Sequence, residues 1–408
     1  MTTFTKIAWR NIKRNKWRSA ITISAVSVGL AALIFLKSFV DGADMQMVEN
    51  YTNLLIGHIQ IHKSGFQKNI KLENSIVNSY VITSVLKNIG GISAYAPRIK
   101  DYALISSTEG SSGILLLGIS PEPEQKLSDL HKRLRKGKFL KSGLDDEIVI
   151  GTTLAENLKV DLGDKVVLMS QANDGSLAAA AYNVCGIIES GAEEIDKNLA
   201  LITLKSAQEL LVMGNKISEI VVKADDISTI DALSVGIKNN LDTNRFEVLT
   251  WKEVSPVTYQ WLQFDQVFTD LILFIVLIVV ASGILNTVLM GVMERVREFG
   301  IMLALGTKPQ QISGMVTIES FLLGLIGTSI GTCIGTGLVF FFSIRGIDLS
   351  IISSALNNFY IGSVIYPRLD LISIAFYSSV VLLVSIFISV FPAKKASRLS
   401  PIEAIRHI

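Results

Sequence analysis

Two histidines are the first residues in this sequence that could do chemistry by type and spacing. His58 and His62 stand on either side of Gln60, in the run "GHIQIH", and imidazoles are common ligands of zinc. In a strand these three side chains would share one face, while Ile59 and Ile61 would point into a core. Because no third ligand lies nearby, we favour a solvated polar strand face over a metal site.

Other signals of catalysis are weak. The acidic cluster Glu193–Lys197 is typical of a solvated loop. The sequence contains no phosphate-binding GxxxxGK loop, no nucleophile elbow and no HExxH motif. We therefore expect no enzyme in this chain, no cofactor or metal of its own and no nucleic-acid partner.

The elements that hold these residues are largely apolar. The chain has 408 residues, of which 49% are hydrophobic and 18% charged, whereas about a quarter are charged in a typical soluble protein. Four runs exceed the ~20 residues that cross a bilayer as a helix, and we expect the first to be an uncleaved span. These predicted spans are 19–40, 267–292, 318–343 and 371–391.

Basic residues flank the predicted spans unevenly. Six of them and no acidic residue precede the first span, two arginines and a lysine follow the second, and further basic residues follow the fourth. By the positive-inside rule, both termini and the connection 293–312 lie in the cytoplasm. Residues 41–266 and the loop 344–370 then face outward, which predicts a multi-pass protein of the inner (cytoplasmic) membrane.

The outward residues 41–266 are too many for a loop. "DKVVLMS" and "YNVCGII" resemble strands, and "SQANDGSL" predicts a hairpin turn between them. "LKSAQELLVMG" predicts a helix that ends at Gly214. The predicted fold is an α-helical membrane protein with four transmembrane helices and a large extracytoplasmic α+β domain inserted between helices 1 and 2. Cys185 is expected to be a small buried apolar residue.

The connection 293–312, "MERVREFGIMLALGTKPQQI", is more regular than a simple turn. Its charged residues have helical spacing, Gly306 is suited to end a helix, and Thr307 could cap the next one. We expect a stiff amphipathic helix of about three turns that docks into a groove on a soluble partner. Its predicted apolar face consists of Phe299, Met302, Leu303 and Leu305.

The third span combines small residues with one acidic residue. Gly327, Gly331 and Gly335 recur every four residues, a pattern that permits close helix packing. The partner helix could belong to the same subunit or to a second one. Glu319, at the start of this span, could belong to a proton path. We favour an interfacial carboxylate stabilised by the helix dipole and by a nearby Arg or Lys.

Short helices are predicted at both ends of the chain. Residues 1–18 form an amphipathic pattern with Phe4, Ile7, Ala8 and Ile12 on one side, which is typical of a helix on the inner membrane surface. Pro392 is expected to stop the fourth span. The motif "SPIE" then begins a cytoplasmic C-terminal helix within 392–408.

With these features the sequence resembles the FtsX-like permease family of ABC transporters, of the macrolide-efflux and lipoprotein-releasing type. The resemblance rests on "GILNTVLMGVMERVREFGIMLALGTKPQQISGMVTIESFLLGLIGTSIG", on "FPAKKASRLSPIEAIR" and on "AWRNIKRNKWRSAIT". Four spans with a large domain after the first are most similar to the lipoprotein-releasing permease subunits.

The resemblance implies a mechanism in which two permease subunits, as a homo- or heterodimer among membrane lipids, bind two copies of a cytoplasmic ATPase. ATP and magnesium would bind the ATPase. Its closure would move the coupling helix and, through the spans, the outward domains. The implied ATPase contacts are Glu294, Arg295, Arg297, Glu298, Phe299, Gly300, Met302, Leu303, Leu305 and Gly306.

The same resemblance implies a route for cargo. A lipoprotein would enter between the first two spans, near Phe35, Phe39, Phe264 and Phe268, and pass to a periplasmic chaperone. The hairpin Lys165–Cys185 has only a short "NDG" turn, where the chaperone-docking subunit has a longer, proline-containing hook. Three alternatives stay open: export of a small molecule or peptide, control of an exported hydrolase as in the cell-division relatives, and, more remotely, proton-driven transport.

Overall fold

The structure is a computed structural model that describes residues 2–14, 16–352 and 360–397. The chain divides into two compact units. The helical unit comprises Met1–Asp44, Leu262–Asp348 and Val364–Ile408, and the α/β unit comprises Met45–Trp261 and Leu349–Ser363. Part of the loop predicted at 344–370 therefore belongs to the α/β unit, where the Asn50 side chain donates to the Tyr360 carbonyl at 2.8 Å.

Among the described residues, four long helices are apolar enough to cross a membrane. They are α2, α10, α12 and α13, and two shorter helices, α1 and α11, accompany them. Their bounds are α1 Thr2–Arg14, α2 Lys16–Tyr51, α10 Pro256–Met293, α11 Val296–Ala304, α12 Pro309–Arg345 and α13 Leu371–Ser397. Between α12 and α13, the short strands β11 (Ile347–Asp348) and β12 (Val364–Ile365) pair with each other.

The glycines of α12 pack against α2 of the same chain. A Cβ atom on Gly327 would lie 2.7 Å from the Val26 side chain, and one on Gly331 would lie 2.8 Å from the Ser27 carbonyl oxygen. The Ser27 hydroxyl also donates to the Gly327 carbonyl at 2.9 Å, and Gly335 lies against α2 one turn further along. The small-residue stripe thus serves a contact within the subunit, which the sequence left open.

The fourth long helix does not stop at Pro392. Helix α13 continues through this residue to Ser397, so the prediction that Pro392 ends the span is wrong. Pro392, Ala393 and Ala396 are buried, and packing of this kind holds a transmembrane helix together across a proline. The rest of the predicted C-terminal helix, residues 398–408, lies outside the described residues.

The α/β unit is built on a large, mostly antiparallel sheet. Its strand order is β10-β1-β9-β2-β3-β8-β5-β7-β4, with β6 paired to β2 and β7, and only β3–β8 and β5–β7 are parallel. The strands are β1 Ile59–Lys63, β2 Ile92–Ser106, β3 Ser111–Ile119, β4 Leu134–Gly137, β5 Glu147–Gly151, β6 Lys165–Gln171, β7 Leu177–Ile188, β8 Leu199–Thr203, β9 Glu219–Ala224 and β10 Phe246–Thr250.

Short helices cover this sheet, and a core rich in Ile, Leu and Val lies between the two layers, with Leu116, Ile150, Leu168 and Ile202 fully buried. The helices are α3 Ser79–Lys87, α4 Pro121–Leu127, α5 Thr152–Leu158, α6 Glu193–Asn198, α7 Leu204–Leu210, α8 Ile230–Asn240 and α9 Trp251–Val254. Helix α7 ends at Leu210 rather than at Gly214, although Gly214 does adopt a positive φ of 58°.

The hairpin predicted from "SQANDGSL" is confirmed. Strands β6 and β7 pair from Lys165↔Asn183 to Gln171↔Leu177. The turn closes with the Ala172 amide donating to the Ser176 carbonyl at 2.9 Å. Gly175 has a φ of 83°, a conformation that glycine adopts without the strain a side chain would cause.

Two polar segments are less solvated than predicted. The prediction of a solvated polar strand face is wrong, because His58, Gln60 and His62 are all buried. His62 stacks on Phe66 and contacts Glu219 of β9 at 3.1 Å, and burial lowers the pKa of His58 to about 4. The acidic cluster at Glu193–Lys197 forms helix α6 instead of a loop, and Asp196 is buried, accepting from the Ser190 amide at 2.7 Å. The described residues hold no group of three or more metal-ligating side chains.

Candidate functional site

The connection between α10 and α12 contains a shorter helix than predicted. Helix α10 ends at Met293, Glu294 and Arg295 form a turn, and α11 spans nine residues. The chain leaves α11 through Gly306, whose φ is 93°, and the Thr307 amide donates back to the Met302 carbonyl at 3.0 Å. Lys308, rather than Thr307, then stands at the N-cap of α12.

Phe299 faces the interior of the helical unit. Its side chain is buried among residues of α10, α12 and α13, including Val292, Met315 and Ala393. The prediction that Phe299 belongs to an exposed docking face is therefore wrong. Helix α11 uses this side to pack against its own chain, because an aromatic ring surrounded by apolar atoms is far more stable there than in water.

The opposite side of α11 is exposed. Arg297, Ile301 and Leu305 follow each other at four-residue spacing, and we call these three residues the exposed ridge. Ile301 is 46% exposed and Leu305 82%, whereas Met302 and Leu303 are half-buried and Gly300 is buried. Within the described part of the chain, Arg297 forms no ion pair. The exposed ridge therefore presents one cation and two exposed apolar side chains on the surface of α11.

Behind this ridge, a carboxylate is shared by two arginines. Glu319, near the start of α12, accepts from Arg18 of α2 at 2.9 Å and from Arg295 of the α10–α11 turn at 3.0 Å. At most 13% of each of these three side chains is exposed. The break after Met293 has a clear consequence, because it places Arg295 where its guanidinium can reach Glu319.

Two half-exposed carboxylates extend this cluster. Arg295 also donates to Glu298 at 2.9 Å, and Glu298 in turn pairs with Arg14 of α1. Arg18 contacts Glu294 at 3.4 Å. Six side chains, which we call the ion-pair network, thus alternate in charge and connect α1, α2, α11 and α12. The members of the ion-pair network are Arg14, Glu298, Arg295, Glu319, Arg18 and Glu294.

The electrostatics around Glu298 favour its charged form. Partial burial acts to raise the pKa of Glu298, but hydrogen bonds from Arg295 and Arg14 outweigh it and hold that pKa below its ordinary value. Gly291 of α10 leaves room for the Arg18 guanidinium, since a Cβ atom there would lie 3.0 Å from it. The guanidinium of Arg295 also lies over the Phe299 ring, 5.1 Å from its centroid.

Sequence reasoning missed Arg14 and Arg18, which it counted only among the charges that set topology. The sequence does indicate such partners, because Glu294, Glu298 and Glu319 lie at a predicted membrane edge. An unpaired carboxylate is energetically unfavourable there, so cations are expected nearby. The two arginines stand four residues apart, ahead of the first apolar run.

The four phenylalanines predicted near a cargo opening separate into two groups. Phe264 and Phe268 of α10 stack with ring centroids 6.3 Å apart and are exposed. The ring centroid of Phe35 of α2 instead lies 5.7 Å from that of Phe342 of α12, and Phe35 is half-buried against the helical core. Phe39 is half-buried. An exposed aromatic pair on α10 is thus the part of this set that a molecule in the bilayer could contact.

Comparison with protein-family models identifies the class of protein. The FtsX-like permease C-terminal model matches residues 271–401, which include α11, the exposed ridge and Glu319. The MacB-like periplasmic core domain model matches residues 19–240, more than half of the chain. The chain belongs to the FtsX-like permease family of ABC transporters. It is a multi-pass inner-membrane permease, and members of this family work with a cytoplasmic ATPase.

Individual relatives fall into two groups. The lipoprotein-releasing system transmembrane protein LolC of Neisseria meningitidis serogroup B is 23% identical, over 97% of this chain and 96% of that protein. The macrolide export ATP-binding/permease protein MacB of Hyphomonas neptunium is 22% identical, over 98% of this chain and 60% of that protein. The periplasmic region of MacB from Actinobacillus actinomycetemcomitans matches 52% of this chain and 96% of that structure, at 14% identity and a TM-score of 0.36.

Proposed function

We propose that this chain is a permease subunit that transmits ATP-driven motion of a separate cytoplasmic ATPase to its α/β unit. The observation that carries the proposal is the link between the exposed ridge and the buried Arg18–Glu319–Arg295 cluster, since the turn and helix that bear the ridge are fastened to α2 and α12. The proposal assigns the ridge and both termini to the cytoplasm, and the distribution of basic residues supports this assignment.

The exposed ridge is the proposed ATPase contact. Arg297 offers a charge to an acidic group on the ATPase, and Ile301 and Leu305 offer apolar area. ATP and magnesium would bind the ATPase, and this chain would hydrolyse nothing. The working unit would contain two permease subunits.

For the cargo, we propose a lipoprotein taken from the outer leaflet of the inner membrane. The LolC relatives support this choice, because the match to one of them extends over nearly the whole of both chains. The exposed Phe264–Phe268 pair of α10 supplies an aromatic surface for an acyl chain. Export of a small molecule is a second candidate, favoured by MacB relatives of similar identity.

Co-purification tests the proposed contact. Ile301→Asp or Leu305→Asp would bury a carboxylate in the interface, and an unpaired buried charge costs several kcal/mol. We expect at least about a tenfold loss of ATPase bound to the purified chain. Val235→Asp, at an exposed apolar position on α8, is the matched control and should retain the ATPase. Recovery of the ATPase at wild-type stoichiometry with both ridge variants would refute the contact.

Depletion of the chain in cells separates the two cargoes. Lipoprotein release predicts that a radiolabelled outer-membrane lipoprotein stays in the inner membrane after depletion. Normal sorting combined with increased macrolide sensitivity would reject lipoprotein release and support export.

A further inference from the structure

Inside the α/β unit, α2 ends in an unusual helical turn. Helix α2 continues without a break to Tyr51, and Thr52–Ile56 then forms a π-helical turn, which we call the junction segment. Gly57 ends it with a φ of 68°, and its amide donates to the Thr52 carbonyl at 2.8 Å. π-Turns are rare and less regular than the α-helix, and the last carbonyls of a helix need donors from elsewhere.

Three donors from other parts of the α/β unit meet these carbonyls. The Asp129 amide donates to Asn53 at 2.9 Å, and the Gln60 side chain donates to Ile56 at 2.7 Å. Between them, the Nη1 atom of Arg98 donates to the Leu55 carbonyl. The junction segment is thus tied to β1, to β2 and to the loop after α4.

Arg98 is itself held rigidly. Its guanidinium is 1% exposed and forms a two-pronged pair with the fully buried Glu124 of α4, with Nε–Oε2 and Nη2–Oε1 distances of 2.9 and 2.6 Å. The planar fork leaves Nη1 directed at Leu55, so the carboxylate fixes the direction of the third donor.

The buried Arg98–Glu124 pair is an inefficient way to stabilise the fold. Replacing a buried ion pair by apolar residues of similar volume is often neutral or stabilising, because two charges must leave water. The feature that an apolar pair could not provide is the strong, directed hydrogen bond from a charged donor to the Leu55 carbonyl.

We propose that Arg98 is a positioning residue that locks the junction segment to the sheet, so that displacement of α2 reaches the sheet instead of being absorbed by unwinding of the π-turn. This inference rests on the proposed function for the existence of ATP-driven motion. It adds the point at which that motion passes from α2 to the sheet.

Hydrogen–deuterium exchange on the complex of the full chain with its ATPase, with and without ATP, tests the lock. Arg98→Lys retains a cation opposite Glu124, but one ammonium cannot make the two-pronged pair and also reach Leu55. Amides of residues 52–57 should exchange at least about tenfold faster, since a hydrogen bond to a charged group has been lost. The ATP-dependent change in uptake across the α/β unit should disappear, while the change over 293–312 persists.

Two further variants separate positioning from general destabilisation. Tyr182→Phe removes a buried hydrogen bond from Ser206 elsewhere in the same unit and should leave the ATP response intact. Gln60→Met removes a neighbouring donor and should act like Arg98→Lys, even if Arg98→Lys fails to fold. If Arg98→Lys folds and shows the wild-type ATP-dependent change in deuterium uptake across the α/β unit, the lock is overturned. If Arg98→Lys does not fold, the same result in Gln60→Met overturns it. If the wild-type chain shows no ATP-dependent change in deuterium uptake, this result counts against the proposed function instead. The exchange rates of amides 52–57 in the variants then still test the lock.

Discussion

Glu319→Gln is the most informative single substitution in the ion-pair network. The wild-type carboxylate accepts from Arg18 and Arg295 through its two separate oxygens. The glutamine amide has one acceptor oxygen and an NH₂ group that can only donate. One of the two buried arginines therefore loses its bond to residue 319 and faces another donor there, and it keeps only a half-exposed carboxylate, Glu294 for Arg18 or Glu298 for Arg295.

The expected cost follows from burial. Glu319 and both arginines are largely buried, and removing one member of a buried ion pair costs about 3–5 kcal/mol. Glu294→Gln is the matched control. Its carboxylate lies 3.4 Å from the same Arg18 and is 47% exposed, so its loss should cost less than about 1 kcal/mol.

Equilibrium unfolding of the purified chain in mixed micelles measures both variants. A second comparison uses Arg295→Met combined with Glu319→Met, which removes a cation together with the anion and leaves Arg18 with Glu294. This double variant should be more stable than Glu319→Met alone. If Glu319→Gln is as stable as Glu294→Gln, the network does not hold the connection to the spans and the reasoning fails.

Three other predictions concern separate features. Gly331→Ala places a Cβ atom against the backbone of Ser27 and should lower the free energy of unfolding in micelles by about 1–3 kcal/mol. Gly337→Ala is the control and should be tolerated, because a Cβ atom there meets no atom within 4 Å. Equal stability of the two variants would contradict the packing of α12 against α2. The pKa of Glu298 is depressed in the folded chain, so its stabilisation is present above the ordinary pKa of a glutamate and is lost as pH falls through the depressed value. The stability difference between wild type and Glu298→Gln should therefore vanish in acid, and a difference independent of pH would contradict this. Burial raises the pKa of Cys185 to about 12, so N-ethylmaleimide should not label it in the folded chain at pH 8, and rapid labelling there would show an accessible thiolate.

The sequence was sufficient for features that depend on local pattern. Apolar runs long enough to cross a bilayer became α2, α10, α12 and α13, and the "NDG" turn became the β6–β7 hairpin. Both features depend on residues that are close together in the sequence. The spans follow from the length of the apolar runs, and the hairpin follows from the ability of glycine to adopt a positive φ.

Features that depend on distant contacts were misjudged. Phe299 has the spacing of an exposed apolar face, yet α13, about a hundred residues away, covers it. Helix α13 passes Pro392 because neighbouring helices support it. His58 and His62 were expected on a solvated face, but both are buried, and Glu219, which contacts His62, lies more than 150 residues further along the chain. Periodicity defines which residues share a face and does not define what covers that face.

Site-specific photo-cross-linking tests the central claim most directly. A photoreactive phenylalanine analogue would replace Leu305, which is 82% exposed on the ridge, in the full chain expressed with its native partners. Irradiation of intact membranes should give a covalent adduct with the ATPase from position 305 and none from Val235. A cross-link to the ATPase from Val235 and none from Leu305 would contradict the account.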